Sequence, residues 1–233
     1  MKIKRIIIGI TLIALAASFT AGAFASDMVK EITAHINYGL TMKLNNADFT
    51  PSENDGAAIR PITYNGRTYL PVRALSEALG IAVDYDGATE TVYLGDKEWT
   101  HYSTETFKTS FEGGTTKTSF TTDSALLFAS GKTFKSGLVM QTDMVGSPGA
   151  KIALNNKYQT IRLEVTAELD SPATITIINT DSKTVYKSID IRNGESAVIE
   201  ADIAGAAEIK IGGDFGYLNN PSGKIVIGDI QFK

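Results

Sequence analysis

The chain has 233 residues and contains no cysteine. Disulfide bonds, cysteine nucleophiles, thiolate metal sites and a lipoprotein-type lipid anchor are therefore all excluded. Histidine is nearly absent too, with only His35 and His101, and neither stands in a Gly-x-Ser-x-Gly or His-Glu-x-x-His context. A glycoside hydrolase would need two carboxylates across a cleft, but acids such as Glu164 and Glu168 alternate along a predicted strand face. We predict no catalytic residue, no cofactor and no metal site.

Basic residues are fewer than acidic ones, with 22 Lys and Arg against 26 Asp and Glu. Three of the basic residues, Lys2, Lys4 and Arg5, precede an apolar stretch from Ile6 to Ala17 and an Ala23-Phe24-Ala25 cleavage pattern. This predicts a signal peptide over residues 1–25, with a retained N-terminal anchor as the alternative. Without it, 19 basic and 26 acidic residues leave a net charge of −7, which argues against nucleic-acid partners. No second apolar span follows, so we predict a secreted protein with no transmembrane segment after cleavage.

The stretch from Pro61 to Leu75 carries strong local signals. Asn65-Gly66 lies between β-prone flanks and favours a tight hairpin in which Tyr64 and Tyr69 face each other. Pro71 suits the first turn of a helix, and the apolar residues that follow at helical spacing lead to Gly80 as a C-terminal stop. Two further strands, Ile81 to Tyr85 and Thr91 to Leu94, complete a predicted α+β unit of the type ββαββ.

The region from about Glu31 to Asp96 resembles the stalk domain named after the N-terminal domain of bacterial copper amine oxidases, a module of secreted Gram-positive proteins. The resemblance lies in Tyr64 to Leu75 and in Ala78-Leu79-Gly80, with Tyr85 where the family more often has Trp. It implies a peripheral, noncatalytic stalk module over residues 26–96, because in the oxidases copper and the quinone-forming tyrosine belong to a large catalytic domain. A copper site would also need several imidazoles.

The sequence pattern of the second half of the chain predicts β-strands. Ile161, Leu163, Val165 and Ala167 alternate with polar residues, as a sheet with one wet face requires. Further short strands are separated by turn sequences such as Asn193-Gly194 and Gly212-Gly213, which indicates an all-β antiparallel sandwich over residues 124–233. We predict a Thr/Ser-rich connector over residues 97–123. Phe107, Phe111 and Phe120 are spaced through it, so part of it could instead form strands packed on the sandwich.

This half is similar to the jelly-roll carbohydrate-binding modules called NPCBM. The similarity rests on the order and spacing of three segments: Gly131 to Gly137 followed by Ile152 to Ile161, then Lys183 to Ser188, and Ala201 to Ile211. The last strand, Lys224 to Phe232, departs from the family pattern because it has no Trp. The resemblance implies a jelly-roll-like sandwich that binds polysaccharide.

Exposed aromatic rings and nearby polar groups are the usual means of holding a sugar. The candidates are Phe215 and Tyr217 with Asp214 and Asn219, in a glycine-rich segment that could present the rings to solvent. The alternative is that these rings plug the open end of the sandwich. Trp99 and Tyr102 could form a second aromatic patch, or could pack between the two domains.

These observations predict a noncatalytic, cell-wall-associated surface protein whose sandwich binds envelope polysaccharide or peptidoglycan. The alternative is a protein-interaction or spacer module with no glycan ligand, whose sandwich contacts another surface protein or lends its edge strands to assembly. An exposed aromatic platform would favour the first hypothesis, and an extended apolar patch or open edge would favour the second.

Overall fold

The computed structural model describes residues 29–52, 56–112, 117–142, 148–215 and 223–233. The predicted signal peptide, residues 1–25, lies outside these ranges. The chain divides into two compact units. The N-terminal unit comprises Met1–Thr50 and Asn54–Leu70, and the main unit comprises Pro51–Glu53 and Pro71–Lys233. Within the described ranges, no helix is long or apolar enough to cross a membrane.

The N-terminal unit contains five short strands, β1 (His35–Ile36), β2 (Met42–Leu44), β3 (Ala47–Phe49), β4 (Ile62–Tyr64) and β5 (Arg67–Tyr69). Strand β4 pairs with both β1 and β5, and β2 pairs with β3, all antiparallel. The predicted hairpin at Asn65-Gly66 is confirmed, and both residues have positive φ, 48° and 70°. Its register places Tyr64 opposite Arg67, so Tyr64 and Tyr69 are diagonal neighbours with ring centroids 6.5 Å apart.

The main unit begins with helix α1 (Val72–Ala78) and a hairpin of β6 (Val83–Asp86) and β7 (Thr91–Leu94). Pro71 is the N-cap of the helix, and Gly80 follows its C-terminal end with a φ of 68°. The helix buries Ala74 and Ser76, whereas Val72 and Leu79 are exposed. The side chains that this helix buries are therefore small ones, not the large apolar ones of its 3,4 pattern. We term α1, β6 and β7 together the helix–hairpin element.

Two antiparallel sheets form a β-sandwich in the main unit. The six-stranded sheet contains β8 (Thr100–His101), β10 (Lys117–Thr121), β13 (Gly137–Thr142), β15 (Thr160–Leu169), β18 (Ser196–Asp202) and β20 (Gly223–Phe232). The five-stranded sheet contains β9 (Thr109–Glu112), β14 (Gly149–Ala153), β16 (Ala173–Asn179), β17 (Val185–Ile191) and β19 (Glu208–Asp214). A separate hairpin joins β11 (Phe128–Ala129) to β12 (Lys132–Thr133). Three of these strands, β8, β9 and β10, lie within the predicted connector, residues 97–123.

The predicted alternation along β15 is confirmed on its inner face. Ile161, Leu163, Val165 and Ala167 are at most 1% exposed and belong to one core cluster shared by both sheets. The outer face is only partly wet, because Thr166 is also fully buried. A second apolar cluster explains the difference: the β11–β12 hairpin and the residues beside it fold over this face, and Leu127, Ala129, Phe134, Val139 and Val226 are buried there.

The helix–hairpin element is bound to the sandwich by polar side chains. The Gln159 side chain accepts a hydrogen bond from the Ala82 amide (2.8 Å) and donates to the Gly80 carbonyl (3.2 Å) and to Asp202 (2.7 Å). The Val83 backbone amide donates a 2.8 Å hydrogen bond to the Asn156 backbone carbonyl. The main unit is thus a mostly β structure with one short helix among its described residues, and that helix belongs to an element fixed to the sandwich.

Candidate functional site

Phe215 lies inside the sandwich. It is only 2% exposed and belongs to the main core cluster, so its ring cannot stack on a ligand in this conformation. The physical reason lies two residues earlier in the chain. Gly213 has no side chain, and a Cβ placed there would lie 3.2 Å from the Phe215 ring, 3.4 Å from Met140 and 3.6 Å from Ile175. The glycine makes room for the ring inside the core and does not present it to solvent.

Tyr102 is also buried, at 4% exposure. Its ring stacks on Phe107 with centroids 5.6 Å apart and meets Phe120 edge-on at 4.9 Å, while its hydroxyl is 2.8 Å from the Thr109 hydroxyl. Burial raises the pKa of the Tyr102 hydroxyl, and the hydrogen bond with Thr109 acts in the opposite direction. Trp99 is half-buried, with the Lys233 ammonium 4.9 Å from its ring centroid.

The structure does not place the other predicted residues in one site with Trp99 and Tyr102. Tyr217 and Asn219 lie outside the described residues. Asp214 is exposed at the end of β19, opposite Thr174 of β16. Trp99, in contrast, immediately precedes β8, which pairs with the last residues of β20 in the other sheet. Asp214 therefore belongs to the five-stranded sheet, whereas Trp99 adjoins a strand of the six-stranded sheet.

The structure brings together a different set of polar residues, on the outer face of the six-stranded sheet. The strand registers place His101, Gln231, Arg162 and Glu200 in one row across β8, β20, β15 and β18. Directly opposite residues of antiparallel strands point to the same face. Because Arg162 is exposed, this row presents an imidazole, an amide, a guanidinium and a carboxylate to solvent.

A β-bulge brings one more carboxylate to this face. Arg162 pairs with Gln231 and Glu164 pairs with Gly228, so Asp229 and Ile230 together oppose the single residue Leu163. Ile230 is buried, whereas Asp229 is exposed and has a φ of 50°. A positive φ costs free energy in a residue other than glycine, and bulges commonly redirect side chains at functional sites.

These residues surround a shallow depression of about 150 Å³, which we term the sheet depression. It is lined by Arg162, Leu163, Glu164, Val198, Asp229 and Gln231. Val198 is 59% exposed and offers an apolar surface among the polar groups. The set combines a planar cationic donor, an amide that donates and accepts, and two carboxylates that accept. Such a combination suits a ligand with many hydroxyl groups.

Lysines and the β11–β12 hairpin hold the acids beside the depression in place. Glu164 forms an ion pair with Lys132 of β12, and Glu168 accepts a hydrogen bond from the Ser130 amide at 2.8 Å. That backbone hydrogen bond, with the nearby Lys224, outweighs partial desolvation and lowers the pKa of Glu168. Both carboxylates predicted to lie on a solvated face thus help to dock the hairpin. The sheet depression lies beside this hairpin, because Glu164 both lines the depression and pairs with Lys132.

Sequence comparison identifies one part of the chain. Residues 53–137 match the family model of the copper amine oxidase N-terminal domain. This confirms the stalk-domain resemblance over residues 53–96 and extends it through β8 to β12, whereas residues 31–52 lie outside the match. Among the described residues, no group of three or more His, Cys, Asp or Glu is placed to hold a metal ion. No curated protein matches the chain.

Solved structures similar to the chain include two carbohydrate-binding modules. One is the family 11 module of the cellulosomal cellulase Lic26A-Cel5E of Clostridium thermocellum, with 18% identity over 53% of this chain and 86% of that one, at a TM-score of 0.32. The other is CBM27-1 of Caldicellulosiruptor saccharolyticus in complex with mannohexaose, with 12% identity, coverages of 50% and 82%, and a TM-score of 0.37.

One signal in the sequence could have pointed to the sheet depression. The last strand reads Lys224-Ile225-Val226-Ile227-Gly228-Asp229-Ile230-Gln231-Phe232, so a Gly-Asp pair interrupts an apolar strand. Glycine inside a strand pattern often marks a bulge. The partners Arg162 and Val198 could not be added from sequence, because they join the site only through strand pairing.

Proposed function

We propose that this protein is a secreted, noncatalytic cell-surface protein whose β-sandwich binds cell-envelope polysaccharide or peptidoglycan. The sheet depression is the observation that carries the proposal. Arg162 and Gln231 stand side by side across β15 and β20, with Asp229 and Glu164 beside them and Val198 exposed between the polar groups. Sugars present hydroxyls together with apolar C–H surface, and this lining offers partners for both.

The remaining features belong to the same proposal. Residues 1–25 act as a signal peptide, and residues 26–96 are a stalk module that carries the sandwich at the cell wall. Tyr217 and Asn219 stay predicted ligand contacts, together with Asp214. The apolar groups exposed in the depression are aliphatic, so we expect binding to depend mainly on hydrogen bonds rather than on ring stacking.

A pull-down of the mature chain, starting at Ser26, tests this function against purified peptidoglycan and a panel of soluble polysaccharides. We expect Arg162→Ala combined with Gln231→Ala to weaken binding at least about tenfold, because hydrogen bonds to a charged group contribute about 1.5–3 kcal/mol each. Arg192→Ala is the matched control, since Arg192 is an exposed turn residue whose guanidinium contacts Glu195. Equal retention of the double variant and the parent chain would refute the proposed site.

A second function, protein–protein interaction, is favoured by the helix–hairpin element. Its exposed apolar side chains include Leu79 (50%), Tyr85 (54%), Val92 (49%) and Leu94 (55%). Exposed apolar side chains of this kind are common at protein interfaces. If the chain binds no polymer, and Leu79→Ser with Leu94→Ser abolishes its binding to a surface protein in cross-linking experiments, the spacer or interaction function replaces glycan binding.

A further inference from the structure

A cleft of about 300 Å³ lies entirely within the N-terminal unit, and we term it the tyrosine cleft. Its lining includes Tyr38, Met42, Asp48, Phe49, Ile59 and Arg60. It has about twice the volume of the sheet depression and falls at the lower end of the size range of small-ligand pockets, about 300–1,000 Å³. Unlike the sheet depression, it contains aromatic rings.

The β2–β3 hairpin forms one side of this cleft. Its register places Met42 directly opposite Phe49, so the two side chains share a face of the hairpin. Asn45 and Asn46 make the tight turn, with φ values of 50° and 67°. Lys43 and Asp48 form the adjacent cross-strand pair, joined by an exposed ion pair of 3.1 Å. Because side chains alternate along a strand, Met42 and Phe49 occupy one face of the hairpin and the Lys43–Asp48 pair the other, and Asp48 still contributes to the lining of the cleft.

Tyr38 and Arg60 belong to the other side. The backbone amide of Asn37 donates a 2.9 Å hydrogen bond to the backbone carbonyl of Pro61. This bond holds together the residues next to Tyr38 and Arg60. The Arg60 guanidinium carbon lies 6.0 Å from the Tyr38 ring centroid, at the outer limit of a cation–π contact. The Tyr38 side chain is nevertheless 74% exposed, so most of its surface is open to a ligand.

Several apolar residues of this unit line the cleft, and the described residues of the unit do not form a closed core. Pro61 is the single buried residue among those described in the unit, while Met42, Phe49 and Ile59 are half-buried. Apolar surface that stays in contact with water contributes no burial free energy. A ligand in the cleft would remove part of this surface from water.

We propose that the tyrosine cleft is a second polysaccharide-binding site, in which the apolar face of a sugar ring stacks on Tyr38. Arg60 and Asp48 then hydrogen-bond the hydroxyls at the ring edge. A sugar fits this lining better than an apolar peptide side chain does, because charged groups stand beside the exposed ring and would lose hydrogen bonds to water without replacement. The cleft lining contains no residue of the sandwich, so binding at this site can be measured separately from binding at the sheet depression.

Fluorescence tests the stacking directly. Trp99 is the only tryptophan of the chain, so Trp99→Phe gives a background without tryptophan emission. In the full mature chain, Tyr38→Trp on this background should show a saturable change in emission with soluble peptidoglycan fragments or with one of the soluble polysaccharides. The control is Tyr69→Trp on the same background, since Tyr69 is also exposed in this unit but does not line the cleft. Its emission should not change.

Affinity provides the second measurement. Tyr38→Ala should raise the dissociation constant for the responding polymer at least about tenfold, as expected for a central aromatic contact, whereas Tyr69→Ala should leave it unchanged. Loss of binding in Tyr38→Ala but not in Arg162→Ala would support this site and remove the sheet depression from the proposed function. Loss of binding in Arg162→Ala but not in Tyr38→Ala would overturn the proposal of a sugar site in the tyrosine cleft. Failure of every polymer to change the tryptophan emission would overturn it as well.

Discussion

The carboxylate of Asp84 allows the attachment of the helix–hairpin element to be tested quantitatively. Asp84 lies between Lys97, 2.8 Å away, and Lys157, 2.9 Å away, and its side chain is 20% exposed. Burial alone would raise its pKa, but the hydrogen bonds and charges of the two lysines outweigh burial and lower the pKa of Asp84 to about 2. Lys157 is a sandwich residue, so the ion pair between Asp84 and Lys157 helps to hold β6 on the sandwich.

The magnitude follows from linkage between proton binding and folding. An unfolded aspartate has a pKa near 3.8, so the ionised carboxylate stabilises the folded chain by about 2 kcal/mol at pH 7. Because the folded pKa is the lower of the two, this stability is present above about pH 4 and is lost as the pH falls toward 2. We expect Asp84→Asn to lower the free energy of unfolding by about 2 kcal/mol at pH 7 but by only a few tenths at pH 2.

Urea unfolding of the parent chain and of Asp84→Asn at pH 7 and at pH 2 measures this difference. The two proteins share all other titrating groups, so the contributions of those groups to the free energy of unfolding cancel in the comparison. Asp181→Asn is the matched control, because Asp181 is an exposed turn residue and should change stability by less than about 0.5 kcal/mol. A loss for Asp84→Asn that is the same at both pH values would refute the ion-pair explanation.

Two further predictions concern packing. Phe215→Ala should cost about 3–5 kcal/mol in urea unfolding because it empties a core site, whereas Phe111→Ala, at a 43% exposed position, should cost much less; equal losses would show that Phe215 is not a core residue. Gly228→Ala should cost about 1–3 kcal/mol, because its Cβ would overlap the Phe134 ring that covers this position. Gly87→Ala, whose Cβ would have its nearest neighbour at 3.7 Å, should be nearly neutral. A neutral Gly228→Ala would mean that Phe134 does not pack against the sheet.

Local signals in the sequence predicted local structure well. Asn65-Gly66 forms a hairpin because both residues adopt positive φ at little cost, and Pro71 caps a helix because a proline there loses no hydrogen bond. The alternation along β15 identified its inner face, since burial on one side of a strand repeats every second residue. These features depend on residues close together in the chain.

The candidate site depended on contacts between distant residues, and sequence alone could not supply them. The ring of Phe215 is buried because Gly213 leaves room for it where Met140 and Ile175 also pack, and glycines in a sequence equally suggest an exposed loop. The sheet depression forms where Arg162, Val198 and Asp229 meet from three strands. The tyrosine cleft likewise needs the segments around Tyr38 and Arg60 to come together.

The Gln159 side chain has a consequence for how the main unit opens. Because it bonds Gly80, Ala82 and Asp202 at once, the residues after helix α1 cannot separate from the sandwich without breaking several hydrogen bonds together. Segments that open together exchange their amide protons as one cooperative unit. The amide protons of Ala82 and Val83 should therefore exchange together with those of the sandwich strands around Gln159. They should not follow the amide protons of the short helix that precedes them in the chain.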